Sequence, residues 1–157
     1  MAKFEINNHM IEEKSDEYFM NQALIEAKKA YEMGEVPIGA VIVSEGRIIA
    51  RAHNLTERLN DVTAHAEMQA FTSASEFIRG KYLRKCKLYV TIEPCVMCSG
   101  ASYWTQIPEI IFGAFDVKRG VQKRGLQLLH PKTKITSGIL AEPCAELMQQ
   151  FFQKKRK

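Results

Sequence analysis

The sequence predicts an α/β fold of three layers, α/β/α, with a central mixed sheet of five strands. The main observation is the order of patterns along the chain, which runs helix, hairpin, helix, strand, helix, strand, a brief further strand near Ile135 and a last helix. The size also fits, because 157 residues are enough for one domain with a real core. A content of 46% hydrophobic and 25% charged residues is typical of a globular chain rather than a disordered one.

The N-terminal part divides into an arm and a helix. Residues 1–14 show no clear periodicity, so we expect a flexible arm, followed by a single domain over residues 15–157. The first helix begins at Ser15 or Asp16, either of which can cap it, and ends at Gly34. Its apolar residues recur three and four positions apart, as expected of a face that packs on the core: Phe19, Ala23, Ala27, Ala30 and Tyr31.

A β-hairpin follows this helix. Residues 36–43 predict a buried strand, and Arg47–His53 predicts its partner, with a short turn between them. Gly39 and Ala40 lack bulky side chains, which leaves room for another group close to the first strand. Either a ligand pocket or a tight contact between helix and sheet would use that room, and the second is the more common explanation.

Residues 54–63 are polar and predict a loop, with Asn54 at the end of the second strand. A second helix is predicted from about residue 64 to residue 78, where apolar residues again recur with helical spacing. Its first turn contains His65 and Glu67. These two side chains are therefore expected at the end of the helix where the backbone N–H groups are free.

The third strand, residues 87–92, leads directly into a third helix. Pro94 fits the first turn of that helix, where its missing N–H costs nothing. Cys95 and Cys98 then lie three positions apart on one face, at the end where the helix dipole stabilises thiolates. The small residues at 100–102 keep this helix thin, which predicts close packing against a neighbour.

The last part of the chain is rich in basic residues. Residues 109–114 predict a fourth strand and Ile135 a brief fifth one, and residues 116–134 form a basic loop or short helix with six basic residues and one acid. The last helix begins at about Ala141 and ends in the basic tail, residues 154–157. Such segments suit a phosphate backbone, although solvated surface lysines explain the charge alone equally well.

His65, Cys95 and Cys98 together predict a metal site. The first turns of two helices can meet at one edge of a sheet, and two thiolates with one neutral imidazole suit zinc. A structural zinc site normally has four protein ligands, but the other candidates are scattered along the chain: Cys86, Cys144, His9, His53 and His130. We therefore expect one Zn²⁺ per subunit with a bound water or hydroxide as its fourth ligand.

Glu67 is the predicted catalytic residue. It lies two residues from His65, close enough to take a proton from the metal-bound water and deliver it elsewhere. The alternative explanation is an acid in the first turn of a helix, where the helix dipole favours negative charge. A carboxylate beside a metal is costly unless it is used or paired, which favours the catalytic interpretation.

The segments His65-Ala66-Glu67 and Pro94-Cys95-Val96-Met97-Cys98 resemble the signature of the cytidine deaminase-like zinc deaminases. Within that superfamily the chain resembles the bacterial tRNA-specific adenosine deaminases over about residues 16–157. The supporting segments are residues 35–41, 63–67, 89–98, 112–114 and 138–140, with Cys144 and residues 151–152. The resemblance implies the cytidine deaminase-like form of the α/β/α fold.

The resemblance also implies an activity. A tRNA(adenine) deaminase is a hydrolase acting on a cyclic amidine C–N bond, here converting adenosine to inosine at the wobble position of a tRNA anticodon. The implied partner is the tRNA anticodon stem-loop, and the chain would be a homodimer with RNA lying across both subunits. The residues implied to bind the substrate are Asn54, Val36, Ala66, Asp116 and Lys118.

Two departures from the family pattern keep other functions open. Phe115 stands where an arginine is common, and residues 101–104 are similar to bacterial guanine deaminases. The alternative function is therefore deamination of a free purine base such as guanine, which needs the same zinc chemistry. A third hypothesis, a non-catalytic zinc-stabilised RNA-binding module, is disfavoured by Glu67, for which a structural zinc site has no use.

Two further features bear on location. No apolar run approaches the roughly 20 residues of a membrane span. The N-terminus lacks the apolar segment of a secretory signal. We therefore expect a cytoplasmic protein without membrane association, a compartment in which free cysteines stay reduced.

Overall fold

A computed structural model describes residues 14–124 and 126–156 of the chain. The predicted arm, residues 1–14, lies almost entirely outside the described residues. The helices are α1 Asp16–Glu32, α2 Ala66–Ile78, α3 Val96–Thr105, α4 Val121–Arg124 and α5 Ala141–Lys155. The strands are β1 Gly39–Ser44, β2 Arg47–His53, β3 Cys86–Ile92, β4 Glu109–Ala114 and β5 Lys134–Thr136, with a 3₁₀ turn at Leu126–Leu128.

The predicted mixed sheet of five strands is confirmed, with the strand order β2-β1-β3-β4-β5. The pairs β1–β2 and β1–β3 are antiparallel, whereas β3–β4 and β4–β5 are parallel. One apolar cluster joins α2 to one face of the sheet, and a second joins α1 and α5 to the other face. The three-layer α/β/α architecture follows, and the ends of β3 and β4 open towards the starts of α2 and α3.

Helix α1 and strand β1 pack closely at Gly39. The helix begins as predicted after Ser15, whose Oγ accepts a hydrogen bond from the N–H of Tyr18 at 3.2 Å. A Cβ on Gly39 would collide with backbone atoms of Ala23 and Ala27. The space beside Gly39 is therefore a contact between helix and sheet rather than a ligand pocket, the more common of the two explanations considered above.

The hairpin has the predicted second strand, but its first strand is shorter than predicted. The N–H of Ile38 bonds to the carbonyl of Val36 at 2.8 Å, and Pro37 has no N–H, so pairing begins only at Gly39. The turn at Glu45 and Gly46 has φ angles of 52° and 76°. Positive values at both positions are those of a type I′ turn, which matches the twist of the strands.

The start of each of the two site-bearing helices differs from the prediction. His65 precedes α2 and Cys95 precedes α3, and both adopt extended backbone at the N-cap position instead of lying in the first turn. Pro94 is therefore outside the helix, and its carbonyl accepts a hydrogen bond from the N–H of Val121 at 3.0 Å. This bond, with a bridge from Cys95 to Gly120, keeps the segment extended.

Helix α3 only partly fits the prediction of close packing by small residues. Ser102 is buried against the body of the protein. A Cβ on Gly100, however, would meet nothing within 4 Å, so packing within this chain does not require glycine there.

Among the described residues, no helix is both long and apolar enough to cross a bilayer.

Candidate metal and substrate site

The three predicted metal ligands meet where α2 and α3 begin. His65 and Cys95 are the N-cap residues of the two helices, and Cys98 lies in the first turn of α3. Nδ1 of His65 is 3.6 Å from Sγ of Cys95 and 3.5 Å from Sγ of Cys98. All three possible ligand atoms lie within 4.8 Å of one another. The structure thus brings together residues that are 30 or more positions apart in the chain.

The spacing of these atoms fits a zinc ion. Zn–S and Zn–N bonds of about 2.3 and 2.05 Å at a tetrahedral angle place nitrogen and sulfur about 3.6 Å apart. The two distances from the imidazole of His65 agree with that value. Within the described residues no other group of three His, Cys, Asp or Glu side chains comes as close. A site with three protein ligands and one open position is the arrangement found at catalytic zinc centres.

The electrostatics of the cluster also suit a cation. The thiol of Cys98 donates to Cys95 and lowers the pKa of the Cys95 thiol to about 4, although burial opposes this shift. The same hydrogen bond, with burial, raises the pKa of Cys98, and the hydrogen bond to Cys95 raises the pKa of His65. One sulfur is therefore already a thiolate near neutral pH, and the N-terminal ends of two helices favour that negative charge.

The scattered candidates for a fourth ligand lie elsewhere. His53 bonds to Glu26 at 3.2 Å, and the ring of His130 packs beside Tyr103. Cys86 and Cys144 are buried free thiols, and burial raises the pKa of Cys144 to about 12. His9 lies outside the described residues. None of the four described candidates therefore belongs to the cluster, which keeps three protein ligands.

Glu67 is buried beside the cluster. It is the second residue of α2, only 4% of its surface is exposed, and it lines a cavity together with His65 and Cys95. Burial raises the pKa of its carboxyl group to about 7. A carboxyl group with such a pKa can both accept and release a proton near neutral pH, as general acid–base catalysis requires.

The cavity has a volume of about 760 Å³, within the range of small-molecule sites. All five residues implied to bind the substrate line it: Val36, Asn54, Ala66, Asp116 and Lys118. Asn54 is buried, and its backbone N–H bonds to the carbonyl of Ile38 at 3.0 Å. These residues belong to the segment before β1, the loop after β2, the start of α2 and the loop after β4. The cavity therefore collects side chains from four distant segments.

Asp116 has a local role that the sequence did not suggest. Its Oδ1 accepts hydrogen bonds from the N–H groups of Lys118 and Arg119, each at 3.0 Å. The carboxylate thus shapes the loop after β4 from within. Lys118 and Arg119 line the cavity on the same loop and place positive charge at its rim.

The sequence indicates one wall of the cavity only in part, through Arg156 in the basic tail. Helix α5 and its C-cap residue contribute one face, and the lining residues are Ala145, Met148, Gln149, Phe152, Gln153 and Arg156. Their spacing of three and four positions is itself a helical stripe. This stripe is mixed in polarity, so it does not stand out beside the apolar face of the same helix, and it would be noticed only as polar residues that recur with helical spacing.

Comparison with known proteins agrees with this site. Residues 13–114 match the family model of the cytidine and deoxycytidylate deaminase zinc-binding region. The tRNA-specific adenosine deaminase of Aquifex aeolicus is 46% identical over 145 residues, which cover 89% of this chain and 95% of that protein. The match to the family model includes the three predicted metal ligands and Glu67.

Two solved structures share the fold. One, from studies of A-to-I editing by tRNA:A34 deaminases at the wobble position of transfer RNA, is 42% identical, with a TM-score of 0.78 over 83% of this chain and 98% of that one. A guanine deaminase from Bacillus subtilis is 35% identical, with a TM-score of 0.64 over 71% of each chain. The predicted resemblance is confirmed. The chain belongs to the zinc-binding cytidine and deoxycytidylate deaminase family and, within it, to the tRNA-specific adenosine deaminases.

Proposed function

We propose that this chain converts adenosine to inosine at the wobble position of a tRNA anticodon. The observation that carries this proposal is the single cavity shared by the metal-binding cluster, Glu67, the basic loop after β4 and helix α5. Such a cavity offers catalytic groups at its base and positive charge at its rim, which suits a base projecting from a phosphate backbone.

His65, Cys95 and Cys98 would hold one Zn²⁺ in each chain, with water as the fourth ligand. The ion would supply Lewis acidity, which makes a bound water nucleophilic at neutral pH. Glu67 would take a proton from the attacking water and deliver protons to the adenine ring and to the departing amino group. The reaction consumes one water, breaks the bond from C6 to the amino nitrogen, and releases inosine and ammonia.

The remaining cavity residues position the substrate. The amide of Asn54 can donate to and accept from a purine ring, and Val36 and Ala66 provide apolar contacts around it. Lys118 contacts the RNA from the loop that Asp116 shapes. A wobble base in an unpaired loop is easily flipped into such a cavity, because little stacking is lost.

A second copy of the chain covers the exposed face of α3. Trp104 is 77% exposed, and Val96 and Tyr103 on the same helix are also exposed. Gly100 leaves open space beside them, so another helix can approach closely. A patch of this kind marks a protein interface, and a homodimer would let one RNA contact both subunits.

The reduced thiols of the metal site fit a cytoplasmic location.

A direct assay separates this function from its alternative. The purified protein is incubated with an anticodon stem-loop and, separately, with free guanine, and the products inosine and xanthine are measured. We expect inosine alone. Xanthine without inosine would favour a guanine deaminase, for which the 35% identity to such an enzyme is the specific support. The absence of both products, with zinc bound, would leave the non-catalytic RNA-binding module.

A further inference from the structure

We propose that Glu35 and Glu93 are positioning residues that hold the two loops bordering the substrate cavity in their binding conformation. The proposal rests on the proposed function, because it assigns these loops to the tRNA substrate. Each carboxylate is nearly inaccessible, with exposed fractions of 1% for Glu35 and 4% for Glu93. Both bind backbone N–H groups of a loop that is distant in the sequence.

Glu93 holds the loop after β4 at both of its ends. Its Oε1 accepts from the N–H of Asp116 at 3.1 Å, and its Oε2 accepts from the N–H of Gln122 at 2.8 Å. Between these two anchors lie Lys118 and Arg119, which line the cavity. The two hydrogen bonds therefore fix the ends of the segment that presents the basic side chains.

Gly120 allows the loop to come this close. A Cβ at this position would collide with the carboxylate of Glu93 and with the carbonyl of Asp116. The N–H of Gly120 bonds to that carbonyl at 2.9 Å. Any larger residue would push the loop away from Glu93, so Gly120 and Glu93 act together.

Glu35 holds the loop after β2 in the same manner. Its Oε1 accepts from the N–H of Glu57 at 2.9 Å, and its Oε2 accepts from the N–H of Arg58, also at 2.9 Å. Its own N–H bonds to the carbonyl of Ala30 at 2.9 Å, which attaches it to the end of α1. The loop begins with Asn54, whose side-chain amide donates to the hydroxyl of Thr56 at 3.4 Å, directly before the anchored Glu57.

The two groups that hold the loops, Glu35 and Glu93, are both buried carboxylates, and this choice of residue type bears on their role. Burying a carboxylate is costly unless it is paired or hydrogen-bonded. In the described part of the chain, neither Glu35 nor Glu93 lies within ion-pair distance of a lysine, arginine or histidine. Their charge is instead stabilised by two backbone N–H groups each, and only a carboxylate offers two acceptor oxygens in this geometry. One such group for each of the two loops indicates preorganisation for binding.

The test uses Glu35→Gln, Glu93→Gln and Gly120→Ala in the full chain. Glutamine keeps the shape but turns an NH₂ group towards one of the two backbone N–H groups. Glu109→Gln is the control, because Glu109 lies at the opposite end of β4 and makes ion pairs with Lys87 and Lys134. The measurements are zinc content, backbone amide hydrogen exchange, and kcat and KM for inosine formation from an anticodon stem-loop.

We expect each variant to speed amide exchange at least about tenfold in its own loop and nowhere else. Glu35→Gln should affect residues 57–58, whereas Glu93→Gln and Gly120→Ala should affect residues 116–122. The KM for the stem-loop should rise about tenfold while kcat stays within about threefold, because a loosened loop must be ordered again on binding. Zinc content should stay unchanged, and the control should match the wild type.

Three results would overturn the proposal. Unchanged exchange in the loops would show that the carboxylates do not hold them. Faster exchange throughout the sheet, or loss of zinc, would make the two residues merely structural. Faster loop exchange with an unchanged KM would show that the substrate does not need the loops held. If the wild type forms no inosine, the proposed function fails, and the exchange data alone still decide whether the carboxylates hold the loops.

Discussion

Replacement of Glu67 by glutamine tests the chemistry of the site most directly. The substitution keeps the size and shape of a side chain that is only 4% exposed, and it leaves His65, Cys95 and Cys98 in place. We expect zinc to remain bound, since Glu67 is not among the grouped ligand atoms. The amide cannot exchange protons near neutral pH, so only proton transfer is removed.

The expected loss can be worked out from the two transfers. A positioned acid or base contributes roughly 10²–10⁴-fold to a proton-transfer step, and the proposed role of Glu67 includes proton delivery to both the ring and the departing amine. Its burial keeps bulk buffer from substituting for it. We therefore expect the rate to fall about 10⁴-fold, which corresponds to about 5.4 kcal/mol in the activation barrier.

The assay is single-turnover formation of inosine from a stem-loop, with zinc measured in the same samples. Glu76→Gln is the matched control, because Glu76 lies exposed on the same helix and does not line the cavity. A zinc-loaded Glu67→Gln protein that works within tenfold of the wild type would refute the proton-transfer role. Loss of zinc in that variant would instead make Glu67 a support of the metal site.

Three further predictions concern the tail, the thiols and the core. Reversing the charges of residues 154–157 should weaken stem-loop binding. The slope of the logarithm of the binding constant against the logarithm of salt concentration should become less steep by about 0.7 for each lost phosphate contact. An unchanged slope would show that the tail serves only to keep the protein in solution. After chelation, iodoacetamide should label Cys95, whose thiol has a lowered pKa, but not Cys86 or Cys144, whose thiols are buried and have raised pKa values. Mass spectrometry would identify the labelled residues, and equal labelling of all three would contradict this burial. Gly39→Ala should destabilise the protein by about 2 kcal/mol or more through its collision with α1, and an unchanged melting temperature would contradict that contact.

The sequence predicted those parts of the fold that depend on local patterns. The bounds of β2 and β4 agree with the prediction because alternation, β-branching and a tight turn define a strand within a few residues. The starts of α2 and α3 were misplaced by one or two residues. His65 and Cys95 make no side-chain capping bond, so the usual Ser, Thr, Asp or Asn signal of an N-cap is missing.

Contacts between distant segments could not be predicted from local sequence patterns. The partners of Glu35 and Glu93 are backbone N–H groups 22 to 29 residues away, and no spacing rule connects a side chain to a remote amide. A weak signal did exist, since Glu93 stands between a buried strand and a proline, where a charged residue is unexpected. The metal cluster was predictable because its chemistry restricts the residue types, whereas the wall from α5 required knowledge of how that helix packs.

The position of the metal ligands at two helix starts also affects how the protein folds. His65 and Cys95 are separated by 30 residues, and β1 must lie between β2 and β3 before α2 and α3 can stand side by side. A bound ion therefore acts as a cross-link that can close only after long-range pairing is complete. An ion that bound the folded chain and not the unfolded one would add about 4 kcal/mol to stability when present at about a thousand times its dissociation constant. A supply of zinc would thus raise the free energy of unfolding of this chain.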